Sequence, residues 1–319
     1  MSDRYIAIDL GGTRIRAARC RADGTIEERS EQFTYAEEQQ EPVLRRIVET
    51  ARAVWPSTAP AAVGIGAPGP VEPYTGVMFY APNIPSFAGL HLRDRLREAL
   101  NAPVYAGNDA NLAALAEWRY GAARGHADVV DLTISTGIGG GVIVDNRLLL
   151  GSHGLGAELG HTTIDYRGKQ DKCGNIGCLE AVAAGPAIRQ RAIERLEAGE
   201  DSLLREKVGG DFDEITVELL HAAAQQGDAF SRSVIHDAAE VIGLGVVSFL
   251  HIFNPSIVVI GGGVSNLGEY LFTPIRAVVD RHILHPNYRA PIVRAKLEGN
   301  VGLLGALALA LDPPAQKDV

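Results

Sequence analysis

Apolar and polar positions come in short blocks along this chain, and the blocks repeat. Tyr5–Leu10 is an apolar run ending at a glycine pair, which predicts a buried strand and a tight turn. Residues 15–20 and 25–33 follow as two further strands, joined by the turn Asp23-Gly24. Residues 41–55 carry Val43, Leu44, Ile47, Val48 and Ala51 at helical spacing. A strand over 61–65, a helix over 90–100, a strand over 104–106 and a helix over 110–120 complete a first set. The pattern then restarts. Strands are predicted over 129–135, 142–144 and 148–150, with a glycine turn over 137–141 between the first two. Helices are predicted over 179–198, 216–226 and 228–253, a strand over 256–260, and helices over 267–282 and 302–311. Three strands, a helix, a strand and a helix thus occur twice in outline. That layout predicts an α/β chain of two domains with a cleft between them, and such clefts are preferred ligand sites.

Composition narrows the function classes. The 319 residues suffice for two domains of ordinary size. With 46% hydrophobic but only 6% aromatic residues, the core must be aliphatic and alanine-rich. A formal net charge of -9 argues against a broad nucleic-acid surface, while leaving room for a small anion held by local donors. Cys20, Cys173 and Cys178 make no disulfide framework, and Cys20 reads as a small buried hydrophobe. The N-terminus lacks the pattern of a secretory leader, and the longest apolar run, near 241–253, is shorter than a membrane span. A soluble, cytoplasmic protein with no membrane partner is expected.

Glycine turns are the first candidate chemistry. In Asp9-Leu10-Gly11-Gly12-Thr13, successive glycines let backbone N–H groups approach an anion, Thr13 adds a hydroxyl, and Asp9 is placed to hold magnesium directly or through water. A bare Gly-Gly is equally a plain hairpin turn; the flanking Asp and Thr argue for more. Thr136-Gly137-Ile138-Gly139-Gly140-Gly141 repeats the device in the second half, with more glycine than a hairpin needs. The pair suits a phosphate chain held from two sides. No Gly-Lys-Ser/Thr follows either turn, so neither is a P-loop. A third turn, Gly261-Gly262-Gly263-Val264, either packs a strand closely on a helix or lies under a nucleoside.

Two other segments bear polar groups in unusual density. Asn108-Asp109-Ala110-Asn111 follows a strand and starts a helix. An N-cap accounts for one of these residues. Asp109 is the candidate general base, orienting an alcohol and taking its proton during phosphoryl transfer. Gly66, in Gly-Ala-Pro-Gly-Pro-Val, and Asn83, between two prolines, are loop positions that could face a ligand or merely shape turns. The window from Gly154 to Glu180 gathers Glu158, His161, Asp171, Cys173, Cys178 and Glu180. Such a density of Cys, His and acid suggests a metal that shapes a loop, with the two Glu left to grip a polyhydroxylated ligand.

Taken together, DLGGT, GAPGPV, APNIP, GNDAN, STGIGGG, GAELGH, CGNIGCLE and IVVIGGGV resemble the ROK family of sugar kinases and sugar-responsive repressors, over nearly the whole chain and in the right order. The resemblance implies an actin-like, ribonuclease-H-like ATPase fold in two domains. These are expected at 1–119 plus 300–319 and at 120–299, with the helix over 302–311 returning to the N-terminal domain. It implies Asp109 as catalytic base and Gly66, Asn83, Asn108, Glu158, His161 and Glu180 as sugar contacts. Gly11, Gly12, Thr13 and Gly137 to Gly141 would cradle phosphates, and Gly262 and Gly263 would lie near the adenosine. The family's zinc loop reads Cys-x-Cys-Gly-x-x-Gly-Cys-x-Glu after a His. Here Asp171 takes the first Cys position beside His161, Cys173 and Cys178. Because Asp is an acceptable zinc ligand, a structural His–Asp–Cys–Cys zinc is expected.

The activity so implied is ATP- and magnesium-dependent phosphorylation of a hexose at its 6-hydroxyl, glucose first, with mannose, fructose or an N-acyl hexosamine as alternatives. A homodimer or homotetramer is implied as well. A sugar-sensing repressor would carry a helix-turn-helix ahead of the first glycine turn, which here begins at Gly11. A structural actin-type protein would leave GNDAN and the metal-like loop idle.

Overall fold

The computed structural model describes residues 3–81, 83–168, 170 and 173–314. The first compact unit comprises Met1–Gly125, Gly141–Ala157 and Lys296–Val319, the second His126–Gly140 and Glu158–Ala295. The short segment Gly141–Ala157 groups with the first unit although the sequence places it in the second half.

One five-stranded sheet holds β1 (Tyr5–Leu10), β2 (Arg14–Cys20), β3 (Ile26–Phe33), β4 (Ala62–Ala67) and β5 (Val104–Asn108) in the order β3-β2-β1-β4-β5. The first three strands are antiparallel, and β4 and β5 run parallel to β1. Helices α1 (Gln40–Ala53), α2 (Leu92–Leu100) and α3 (Asp109–Tyr120) follow β3, β4 and β5. The aliphatic core collects on this sheet, from Ile6, Ile8 and Leu10 to Leu92 and Leu96. Cys20 is buried there, and burial pushes its thiol up to about 12, so it behaves as the inert hydrophobe expected.

The second sheet repeats the order. It comprises β6 (Val129–Ile134), β7 (Ile138–Val144), β8 (Arg147–Leu148), β9 (Ile257–Gly261) and β10 (Ile292–Arg294), arranged β10-β9-β6-β7-β8. In each sheet the third, second, first, fourth and fifth strands lie side by side, so the duplication read from the hydrophobic pattern is a duplication of topology. The helices here are α4 (Leu179–Ala183), α5 (Gly185–Glu197), α6 (Leu204–Lys207), α7 (Val217–Gln225), α8 (Ala229–Phe253) and α9 (Glu269–His282).

Three expectations needed correction. The glycines 139–141 lie inside β7 rather than in a turn before it. The single helix expected over 179–198 breaks at Ala184, whose ψ of 164° is extended. Pro186 has no N–H to donate to the Val182 carbonyl four residues back, and the Gly185 N–H donates to the Ser135 carbonyl at 2.8 Å instead of continuing a helix. The apolar run assigned to 241–253 is the latter half of α8, a 25-residue helix long and apolar enough to cross a membrane. Its burial gives the reason for its composition: 61% of its most apolar window is inside the fold, against α4, α5, α7 and α9.

The last helix, α10 (Val301–Leu311), packs on α3, β1 and β4 in the first unit. Its sequence, rich in Gly, Ala and Leu, permits near-contact of backbones. A Cβ on Gly64 of β4 would overlap the Ala306 carbonyl, and one on Gly305 would overlap that of Leu112 in α3. Buried Glu117, near the end of α3, accepts the N–H groups of Ala122 at 2.7 Å, Lys296 at 2.9 Å and Leu297 at 2.8 Å. Three charge-assisted bonds offset the cost of burying that carboxylate.

Candidate functional site

In the first unit the sequence-derived candidates collect at the carboxyl ends of the parallel strands, where ligands of open α/β sheets bind. Asp9 ends β1 in register with Gly66 of β4, and Gly66 is in register with Gly107 of β5. The Asp9 carboxylate is largely buried and pairs with Arg16 of β2 at 2.6 Å. Burial raises its pKa, while Arg16 works in the opposite direction. Gly302 at the start of α10 lies against it, for a Cβ there would sit 2.5 Å from the carboxylate. One carboxylate oxygen donor beside a glycine turn is the kind of partial ligand set magnesium takes when phosphates supply the rest.

The turn after β1 is shaped by its own bonds. The Gly11 N–H donates to the Arg14 carbonyl at 2.9 Å, and the Thr34 hydroxyl donates to the Gly11 carbonyl at 2.6 Å. A Cβ on Gly12 would come within 3.0 Å of the Asn83 Cβ, so the glycine turn and the loop bearing Asn83 touch.

At the end of β5, Asn108 is the N-cap of α3. Its Oδ1 accepts from Ala110 and Asn111 N–H, both at 3.0 Å, and its Nδ2 donates to the Gly69 carbonyl at 3.1 Å. One amide hydrogen of Asn108 is left over for a ligand. The next residue, Asp109, is exposed in the first turn of α3 and accepts the Ala110 N–H at 2.8 Å. Asn108 is thus the cap, and Asp109 lies exposed in the first turn beside it.

In the second unit three segments meet at the β6–β7 connection. The Ile138 N–H donates to Glu180 Oε2 at 2.7 Å, and a Cβ on Gly137 would lie 2.5 Å from the same oxygen. A Cβ on Gly160 would overlap the Ile138 carbonyl, so the turn carrying Glu158 and His161 rests on that residue too. Gly262 has φ +80°, and a Cβ there would overlap the Ile134 carbonyl. The third glycine turn is thus pressed against the end of β6, just before Thr136, Gly137, Gly139 and Gly140. Glu180, expected only as a sugar contact, spends one oxygen on holding the glycine turn. The Glu158 carboxyl is pushed up, first by its packed surroundings and further by Glu180, against the pull of His161.

His161, Cys173 and Cys178 offer ligand atoms that all lie within 4.8 Å of one another, with the two sulfurs 3.4 Å apart. His161 Nδ1 is buried and has no hydrogen-bond partner among the described residues. Tetrahedral zinc with bonds of about 2.0–2.3 Å places its ligand atoms about 3.5 Å apart, so this donor set fits that ion. Asp171, the fourth expected ligand, lies outside the described residues. Asn175 Nδ2 donates to the His161 carbonyl at 3.0 Å and ties the loop to that turn.

The model of the ROK family matches residues 5–313. The chain belongs to the ROK family. Glucokinase of Thermotoga maritima is 38% identical over 308 residues, 96% of either chain. The crystal structure of a ROK family glucokinase from Streptomyces griseus in complex with glucose and AMPPNP superposes with a TM-score of 0.82 at 34% identity, covering 97% of this chain and 99% of that one. A xylose repressor of Caldicellulosiruptor bescii is 35% identical over 78% of this chain and 62% of its own length. The two sheets with their repeated strand order are those of the two-domain actin-like ATPase fold, as in these ROK neighbours.

Sequence reading of this ROK chain missed Arg16, Glu117 and Asn175. Arg16 was in principle accessible: a hairpin closed at Gly11-Gly12 sets position 16 opposite position 9. Asn175 carried the weaker signal of lying between Cys173 and Cys178. Glu117 carried none, because its partners are backbone groups, two of them nearly 180 residues away.

Proposed function

We propose that this ROK chain is an ATP-dependent glucokinase, transferring the γ-phosphoryl group of ATP to the 6-hydroxyl of glucose. The observation that carries the reading is Asp109: an exposed carboxylate in the first turn of α3, next to the cap Asn108 and beside the strand ends that bear Gly66 and Asp9. Such a group orients an alcohol and accepts its proton as the phosphoryl group departs from ADP. Asn83, the remaining Asn108 amide hydrogen, Glu158, His161 and Glu180 are the proposed sugar contacts. The N–H groups of Gly12, Thr13 and the 136–140 turn face the phosphates, and Gly262 and Gly263 lie under the adenosine. Magnesium arriving with ATP supplies charge neutralisation of the transferred group, and Asp9 is the residue that would hold it. The glucokinase relatives support ATP and glucose as substrates. A coupled assay of ATP consumption across glucose, mannose, fructose and N-acyl hexosamines tests the reading. Glucose is expected to give the highest kcat/KM, and no sugar-dependent turnover with any of them would end it.

Structural zinc is part of the proposal, with His161, Cys173, Cys178 and Asp171 as ligands. Zinc would fix the loop so that the neighbouring His161 and Glu180 keep their places. Protein purified without chelator is expected to carry one zinc per chain by mass spectrometry, and Cys178→Ala to lose it and lower Tm by about 5 °C. Metal-free protein with unchanged Tm and activity would refute the structural role.

A homodimer or homotetramer belongs to the same reading. Ile252 in α8 and Leu284 are 67% and 80% exposed and lie on segments joined by the Leu284 N–H bond to His251. Light scattering is expected to give two or four chains per particle, and Ile252→Glu to shift the mass downward. A monomer at micromolar concentration would rule the assembly out.

A further inference from the structure

The ion pair between Asp9 and Arg16 sits where the proposed function needs the Asp9 carboxylate for something else. Arg16 faces Asp9 directly across the β1–β2 hairpin, with Nη2 2.6 Å from Oδ2. Its Nη1 donates to the Gly299 carbonyl at 3.1 Å, just before α10. The carboxylate has little room to move, with 13% of its side chain exposed and Gly302 packed against it. The guanidinium does have room: 41% of the Arg16 side chain is exposed. Of its five N–H donors, these two bonds use two.

Arginine keeps its charge at every relevant pH. A guanidinium and a divalent cation cannot share one carboxylate without strong repulsion, and Arg16 cannot relieve it by losing a proton. It can relieve it by turning to an anion, and the fork of a guanidinium matches phosphate oxygens. The hairpin that carries Arg16 is closed by the Gly11–Thr13 turn, so such an anion would be within the reach of its flexible side chain.

We propose that Arg16 is a place-holding cation that hands Asp9 over. In the nucleotide-free protein it occupies the carboxylate. When magnesium–ATP binds, Arg16 releases Asp9 and takes up a phosphate oxygen, so that it acts as both positioning and phosphate-binding residue. This rests on the glucokinase reading, but its first readout does not need turnover. No bond is made or broken in the exchange beyond ion pairs and hydrogen bonds.

The experiment is a titration of nucleotide-free protein with Mn²⁺ alone, followed by electron paramagnetic resonance, beside the KM for magnesium–ATP. Arg16→Ala removes the competing cation, and binding of Mn²⁺ alone is expected to tighten about fivefold while the KM for magnesium–ATP rises about tenfold. Arg16→Lys keeps the charge but not the fork. It is expected to bind Mn²⁺ as the unaltered protein does and still to show a raised KM. A residue that merely props Asp9 would give the opposite sign, with Mn²⁺ binding weakened in Arg16→Ala. That result, or unchanged Mn²⁺ binding, or an unchanged KM for magnesium–ATP in either variant, overturns the proposal. Should Arg16→Ala fail to fold, the KM of Arg16→Lys decides alone. Should the unaltered protein phosphorylate no sugar, the function is misread, while the Mn²⁺ titrations still test the exchange at Asp9.

Discussion

Asp109→Asn is expected to lower kcat about 10³-fold while leaving glucose affinity within about threefold. The change is isosteric, and α3 keeps its cap because Asn108 accepts the N–H groups of Ala110 and Asn111, while an amide oxygen at position 109 can still accept the Ala110 N–H. The neighbouring loops keep their anchor, since the Asn108 bond to Gly69 is untouched. What disappears is the negative charge and the capacity to take a proton. An amide can still offer an oxygen to a sugar hydroxyl, so binding survives where chemistry does not. The coupled assay gives kcat and calorimetry gives glucose Kd. A kcat within tenfold of the unaltered protein would mean that another group accepts the proton. A joint collapse of affinity and kcat would make Asp109 a binding group first.

Gly64→Val is expected to cost about 4 kcal/mol or more, either lowering Tm by about 10 °C or preventing folding of the first unit. Gly64 lies in the middle of β4, paired with β1 on one side and β5 on the other. Any Cβ there would overlap the Ala306 carbonyl and come within 3.2 Å of the Ala310 Cβ. The obstruction is backbone, so no rotamer change relieves it, and both the strand and α10 are anchored elsewhere. Gly299→Ala is the matching control: a Cβ there meets nothing within 4 Å, and a change under about 0.5 kcal/mol is expected. Thermal unfolding followed by circular dichroism measures both. A Gly64→Val protein as stable as its parent would show that α10 does not lie flush on the sheet.

Much of this was legible because the hydrophobic pattern is regular. The Ile-rich run of β1 and the amphipathic face of α1 fell within two residues of where they were read. Where reading failed, local signals competed. Pro186 ended α4 early against a continuing helical pattern. In β7, glycine composition pointed to a turn, while pairing in the sheet drew the glycines into a strand. The three-residue β10 was missed because Ile292–Arg294 is too short to show a period, and its pairing with β9 is what makes it a strand. At the site, residue types could be assigned but not how their bonds are shared. Nothing in GNDAN says that Asn108 caps and Asp109 does not, and nothing in CLE says that Glu180 holds the Ile138 N–H.

The carboxylate of Glu117 binds N–H groups from Ala122 and from Lys296 and Leu297, one stretch before the second unit and one after it. On the ribosome, the first of these partners emerges before the second unit and the other two only after it. Until then the nascent chain holds a carboxylate short of two donors and a β4 surface still waiting for α10. The second unit, nearly continuous in sequence, can be complete before α10 emerges, whereas the first unit has to wait for that helix.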